Sequence, residues 1–96
     1  MALVETRSQM KPGDWRFVHE YPDGRLERTT LKDRVTHIQL RDPLGHIAYL
    51  TIRGRGKPNR PSWKWNEDIL KPTLTPSIND PDGWHGYLRE GKMVDA

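Results

Sequence analysis

Val35-Thr36-His37-Ile38-Gln39-Leu40-Arg41, Asp42-Pro43-Leu44-Gly45 and His46-Ile47-Ala48-Tyr49-Leu50-Thr51-Ile52-Arg53 follow one another directly, and together they decide the fold. The first segment alternates, with Thr36, Ile38 and Leu40 on one face, and a period of two is the signature of a half-buried strand. The middle segment is a turn: Pro43 presets φ and Gly45 accepts a positive φ. The last is the strongest strand of the chain, because β-branched and aromatic residues dominate it. Two such runs around a turn read as a β-hairpin, with Leu40 counted opposite His46 or Ile47.

Working outward, Asp14 to Glu20 alternates again, Trp15, Phe17 and His19 against Arg16, Val18 and Glu20. The turn Tyr21-Pro22-Asp23-Gly24 and a more polar strand from Arg25 to Thr30 complete a second hairpin. Beyond the central hairpin, Gly54-Arg55-Gly56-Lys57-Pro58-Asn59-Arg60-Pro61 is too rich in Gly and Pro for regular structure. Trp63 to Asn66 reads as a short strand. Glu67 to Lys71 has the makings of one helical turn, which Pro72 discourages. Thr73 to Ser77 is extended between two prolines that cannot donate to a ladder, which places it at a sheet edge. After the turn Asp80-Pro81-Asp82-Gly83, Trp84 to Arg89 and Lys92 to Asp95 form a last hairpin through Glu90-Gly91. Nowhere does a 3.6-residue apolar period hold for three turns. The expectation is all-β: a small antiparallel sandwich or partly open barrel of about six or seven short strands, with little or no helix. Lys11-Pro12-Gly13 closes a flexible N-terminal tail over 1–13, and 14–96 forms a single β domain.

Ninety-six residues suit one core. With 33% hydrophobic residues and a mean hydropathy of −0.91, that core must rest on the four Trp, three Tyr and one Phe, for a stability of roughly 5 kcal/mol. The absence of cysteine excludes disulfides, thiolate zinc sites and thiol nucleophiles. The apolar runs are far too short to span a bilayer, and Glu5 stands where a secretory leader needs a basic start and an apolar core. We expect a cytoplasmic protein with no membrane partner.

The net charge of +3 is unevenly spread. No acid lies between Asp42 and Glu67, whereas Arg53, Arg55, Lys57, Arg60 and Lys64 do. Trp63 and Trp65, two apart, share a strand face. Arg53, Arg55, Lys57, Arg60, Trp63, Lys64 and Trp65 therefore form the candidate binding surface, with indoles to stack on bases and cations to hold phosphates. The plainer alternative puts the indoles in the core and leaves the cations as a solvated face.

Evidence for catalysis is thin at this level. His19, His37, His46 and His85 show no metal-binding spacing. Ser77 and Thr75 lie in a Pro-bracketed stretch with no nucleophile elbow, and Gly54-Arg55-Gly56 lacks a phosphate-cradling context. His85, just after a turn and close to Tyr87, has the position of a general base or ligand. It is equally suited to ordering the segment 72–78 by bonding a carbonyl. No catalytic residue, metal ligand or cofactor is expected.

Trp63, Trp65, Asn66, Pro72, Thr73, Pro76, Ser77, Ile78, His85, Tyr87, Leu88, Arg89 and Gly91 fall in an order that resembles a family of small phage- and prophage-encoded proteins of unknown function, often given the mistaken label ammonia monooxygenase. Its pattern is Trp-x-Trp-Asn, then Pro-Thr-x-x-Pro-Ser-Ile/Leu, then Cys-His, an aromatic or hydrophobic pair and a Gly turn. The likeness covers 63–92 well, 37–94 loosely and 1–36 not at all. It implies that Asn66, Pro72, Thr73, Pro76, Ser77, His85 and Tyr87 are the shared motif region. Members carry cysteines before the central strand and before the later histidine, which suggests a structural zinc in them. Here Arg41 to His46 and Trp84-His85 occupy those places, with only His46 and His85 kept. The resemblance thus implies a domain that folds without metal, Trp84 filling the vacated space, and a shared scaffold rather than a catalytic centre that needs the metal.

The reading that follows is a non-enzymatic phage or prophage accessory protein that binds a host or phage macromolecule, an unknown protein partner first. The alternatives are a single-stranded nucleic-acid-binding module using the loop 53–64 with Trp63 and Trp65, and an enzyme or inhibitor acting on a host nucleotide signal through His85. The last requires His85 in an open cleft beside Thr73, Ser77 or Tyr87.

Overall fold

The central hairpin forms as its sequence reads. β3 (His37–Arg41) and β4 (Ile47–Ile52) pair antiparallel, with Leu40 opposite Ala48 and Arg41 opposite Ile47. The register lies one to two residues beyond the one counted from sequence because Asp42 reshapes the turn. Its Oδ1 accepts the amides of Leu44 and His46, both at 2.9 Å, and its own amide donates to the His46 carbonyl. Gly45, at φ +98°, closes the turn. The structure, a computed structural model, describes residues 10–55, 61–80 and 83–96.

Around this hairpin lie β1 (Trp15–Glu20), β2 (Leu26–Arg28), β5 (Ser62–Trp65), β6 (Leu74–Thr75), β7 (Ile78–Asn79), β8 (His85–Arg89) and β9 (Lys92–Asp95), with one 3-10 turn at Lys32–Arg34. Six strands make one sheet in the order β2-β1-β3-β4-β5-β6, and three make a second in the order β7-β8-β9. The fold is all-β, as expected, in two open sheets rather than a barrel. The strand count exceeds the expected one because the Pro-bracketed stretch splits. β6 pairs with β5 at the edge of the first sheet, and β7 pairs with β8 in the second. Pro76, which has no N–H to give a ladder, stands where the chain changes sheets. One pairing is parallel, β4 with β5; a Gly/Pro loop carries no signal of the direction in which the next strand runs.

The core lies between the sheets. On the inner face of the large sheet, Phe17, Ile38 and Leu50 stand in register across β1, β3 and β4. Trp65 and Leu74 extend that face, and Ile78, Trp84 and Leu88 meet it from the small sheet, all at 5% exposure or less. On the opposite face Arg16, Gln39 and Tyr49 form a ladder: Arg16 Nε donates to Gln39 Oε1 at 2.8 Å, and Gln39 Nε2 donates to Tyr49 Oη at 2.9 Å. Of the expected tail, residues 1–9 lie outside the described residues. Met10 is buried, its carbonyl accepts Arg41 Nη1, and the Gly13 amide donates to the Arg41 carbonyl.

Residues 66–73 form a polar clamp in place of a helical turn. Asn66 Oδ1 accepts the amides of Asp68 and Thr73, and Asn66 Nδ2 donates to the Lys71 carbonyl. Asp68 Oδ1 accepts the amides of Leu70 and Lys71. Those amides, Lys71 first and then Leu70, hold the Asp68 carboxyl below its ordinary value. Because the folded value is depressed, the contribution of Asp68 is present above the usual carboxylate range and is lost as pH falls through the folded value. The clamp grips the last hairpin: the Gly91 amide donates to the Pro72 carbonyl, the Glu90 amide to Thr73 Oγ1, and Trp15 Nε1 to the Gly91 carbonyl.

Two substitutions test this frame. A Cβ on Gly86 would sit 2.3 Å from both Trp84 Cζ2 and the Val94 carbonyl oxygen. Gly86→Ala is expected to cost about 3 kcal/mol or more in urea unfolding, since one of the two neighbours is backbone. Asn66→Ala removes three hydrogen bonds from a solvent-facing clamp and is expected to cost about 1–2 kcal/mol by the same measurement.

Candidate active site

Strands β7 and β8 carry the reactive groups. They pair antiparallel with Ile78 opposite Gly86 and Asn79 opposite His85. Trp84, Gly86 and Leu88 are buried while His85 is exposed, the alternation a strand with one covered face must show. Trp84 is pinned inward, its Nε1 donating to Asp95 Oδ1 at 3.0 Å, and Gly86 leaves the room that its indole occupies. His85 is thereby turned outward. Ser77, just before β7, meets it: Ser77 Oγ and His85 Nε2 are 3.1 Å apart. The Ser77 segment is fixed from the other side, since Trp63 Nε1 donates to the Ser77 carbonyl at 3.3 Å.

A serine hydroxyl within hydrogen-bond reach of an imidazole nitrogen is the elementary nucleophile and base unit. Among the described residues no carboxylate hydrogen-bonds His85 Nδ1. Directly paired residues project to one side of a sheet, which puts Asn79 on the face of His85. Of the condition set for a His85-centred enzyme, this supplies the neighbour, Ser77; His85 itself stands on an exposed strand face rather than in the cleft lined by Leu40, Trp63 and Ile78. Sequence reading could name Ser77 only as one of three neighbours His85 would need, because the two are separated by a turn and only the hairpin register brings them together. The signal that was available is the strand–Pro-Asp-Gly–strand pattern between them.

The rest of the motif region is mechanical. Asn66, Pro72 and Thr73 build the clamp described above. Pro76 marks the change of sheet, and the Tyr87 ring is covered by the Arg89 guanidinium at 4.1 Å. The expected basic surface does not form an aromatic platform. Trp65 is buried, its ring 5.2 Å from that of Phe17, with the Arg55 guanidinium 5.3 Å away on its other side. Arg55 also donates to the Lys32 and Val35 carbonyls, and Arg53 donates to Ser62. Trp63 packs against the core and holds Ser77. Lys64 is exposed; Lys57 and Arg60 lie outside the described residues.

A second cluster escaped the sequence reading, which expected no metal ligand. His46 Nδ1 lies 3.2 Å from Asp80 Oδ2 and 3.5 Å from Asp42 Oδ2. One ligand atom from each of the three residues lies within 4.8 Å of the others. The two histidines thus have separate partners, His46 the two aspartates and His85 Ser77. A cleft of about 320 Å³ beside the cluster is lined by Leu40, Ala48, Leu50, Trp63, Ile78 and Asn79 among others.

Among the described residues no helix is long and apolar enough to cross a membrane. No curated protein and no solved structure matches the chain. The model of one family does, over residues 17–96: BubE, described as the bacterial ubiquitination-like system serine protease. That description overturns the expectation of a non-enzymatic binding domain; of the surface expected to meet nucleic acid, Trp65 is core and Arg55 is engaged by backbone carbonyls. With its match spanning all but the first strand's start and the residues before it, the chain belongs to the BubE family.

Proposed function

We propose that this chain is a serine protease in which Ser77 is the nucleophile and His85 its general base, acting on a protein of a bacterial ubiquitination-like system. The observation that carries the reading is the 3.1 Å approach of Ser77 Oγ to His85 Nε2, in a chain whose family is described as a serine protease. His85 accepts the Ser77 hydroxyl proton at Nε2 as Oγ bonds to the substrate carbonyl carbon. The carbonyl oxygen becomes an oxyanion. As the tetrahedral intermediate collapses, His85 returns the proton to the departing amine, leaving an acyl group on Ser77. Water then attacks the acyl carbon, His85 taking its proton and handing it back to Ser77 Oγ.

Asn79 supplies the oxyanion donor in this reading, because register places its carboxamide on the face of His85. Trp63 acts indirectly, by fixing the Ser77 peptide. The partner is then a protein whose chain reaches the exposed face of the small sheet. The cysteine-free composition suits a reducing compartment, and the cytoplasm remains our assignment.

An organophosphonate probe checks the nucleophile: mass spectrometry should find one adduct, on the peptide containing Ser77. Hydrolysis of p-nitrophenyl acetate should fall by about 10³-fold or more in both Ser77→Ala and His85→Ala, with near-ultraviolet circular dichroism unchanged. An adduct on another residue, or unaltered hydrolysis in Ser77→Ala, would refute the assignment. Asn79→Ala should lower kcat by about 10²-fold with little change in KM; an effect confined to KM would remove Asn79 from the oxyanion role.

A further inference from the structure

Given the serine protease reading of Ser77 and His85, on which this inference rests, we propose that the substrate binds as an extended strand on the open edge of β7. It places an apolar side chain, next to its scissile bond, in the cleft between β7 and β4.

The phase of the hydrogen bonds defines that edge. Antiparallel partners alternate between pairs that exchange both bonds and pairs whose N–H and C=O groups point away from each other. The Asp80 amide donates to the Trp84 carbonyl, which continues the β7–β8 register by one residue and marks Asp80 with Trp84 as a bonded pair. Asn79 opposite His85 is therefore a pair that faces away. On the far side the Ala96 amide donates to the His85 carbonyl, so the His85 backbone is turned to β9. The Asn79 N–H and C=O thus lie on the edge of β7 away from β8. Among the described residues no strand pairs there, since β7 ends the order β7-β8-β9. Two positions earlier, the Ser77 carbonyl points the same way and accepts Trp63 Nε1. An unpaired strand edge is a template for another chain, and peptide recognition by strand addition uses such edges.

The surroundings of this edge suit that occupant. A cleft of about 320 Å³ is bounded by Ile78 and Asn79 on the β7 side and by Leu40, Ala48, Leu50 and Trp63 on the other, among others. Successive side chains of an added strand alternate between the two faces of a sheet. One set points to the face that carries Ser77 and His85, and the other passes the buried Ile78 into the cleft. A peptide in the plane of the sheet also shows the flat of its carbonyl to a group above that plane. Ser77 Oγ, 3.1 Å from His85 Nε2, stands on that side. Backbone pairing, nucleophile and apolar pocket therefore meet at one short stretch, Ser77 to Asn79. Trp63 joins the parts, lining the cleft while holding the Ser77 peptide. A leucine or phenylalanine side chain suits these walls, against which a charged one loses its hydration.

The test uses the full chain and the p-nitrophenyl esters of acetyl-Ala-Ala-X. With Leu or Phe as X, kcat/KM should exceed that of the Gly and Asp esters by about 10–100-fold. Ala48 stands opposite Leu40 on the inner face, so Ala48→Trp should fill the cleft and bring the Leu-to-Gly ratio close to one. The milder Ala48→Val should lower that ratio part of the way, and a ratio does not depend on how much of a variant folds. Methylating the amide nitrogens of the Leu ester one at a time should lower kcat/KM by about 10-fold at alternate positions only. A last arm needs no turnover: in Ser77→Ala, acetyl-Ala-Ala-Leu-amide should shift the Asn79 backbone amide resonance, and the Gly analogue should not. Equal rates for all four esters, a Leu preference unchanged in Ala48→Trp, indifference to N-methylation, or shifts confined to residues away from β7 would each overturn the strand site. Hydrolysis of p-nitrophenyl acetate separates this site from the serine pair. If it depends on Ser77 while the esters show no preference, the pair stands and the strand site falls. If it is indifferent to Ser77→Ala while the Asn79 shift is present, the pair falls and the strand site stands.

Discussion

Everything in this molecule depends on the apolar seam between the two sheets. Ile38 and Leu88 are wholly buried, and Leu40 and Leu74 nearly so, each worth about 1.5–3 kcal/mol relative to exposure. A three-stranded sheet of short strands is marginal alone. It persists here because Ile78, Trp84 and Leu88 are spent on the inner face of the larger sheet. That commitment leaves the outer face of β7 and β8 free for polar groups, Ser77 and His85 among them.

The site follows from a division of labour within one short stretch. Pro72 and Thr73 anchor the last hairpin through the Gly91 and Glu90 amides, Pro76 ends the pairing of β6, and Ser77 is delivered to β8. Gly86 admits the Trp84 indole, and burying that indole turns His85 toward Ser77. Most of the residues that make the motif recognisable hold Ser77 and His85 in place, which is what the proposed dyad requires of its surroundings. The partly buried Trp63 belongs to both groups, packed on the core and bonded to the Ser77 carbonyl.

The legible parts were those governed by neighbours in the chain. The strands on either side of Asp42-Pro43-Leu44-Gly45 and of Glu90-Gly91 announce themselves by period two and by turn chemistry. Trp65 was open to two readings from sequence, core or stacking surface, with the lean composition favouring core; its contact with Phe17 decides for core. Arg55 looked like part of a basic face and is instead a brace for the Lys32 and Val35 carbonyls. Asp80 read as a turn former, which it is, but its carboxylate also meets His46, a neighbour thirty-four positions away in the chain.

The sequence alone determined the class of fold, its hairpins and the region where chemistry had to be sought. Alternation, turn residues and the absence of cysteine act locally or by composition, and need no knowledge of what packs against what. The tertiary structure decided which polar residues become partners. Ser77 with His85, and His46 with Asp42 and Asp80, arise from strand register and from the closure of one sheet on the other. Both are set by burial of side chains far apart along the chain, and pairwise proximity of that kind leaves no periodic trace.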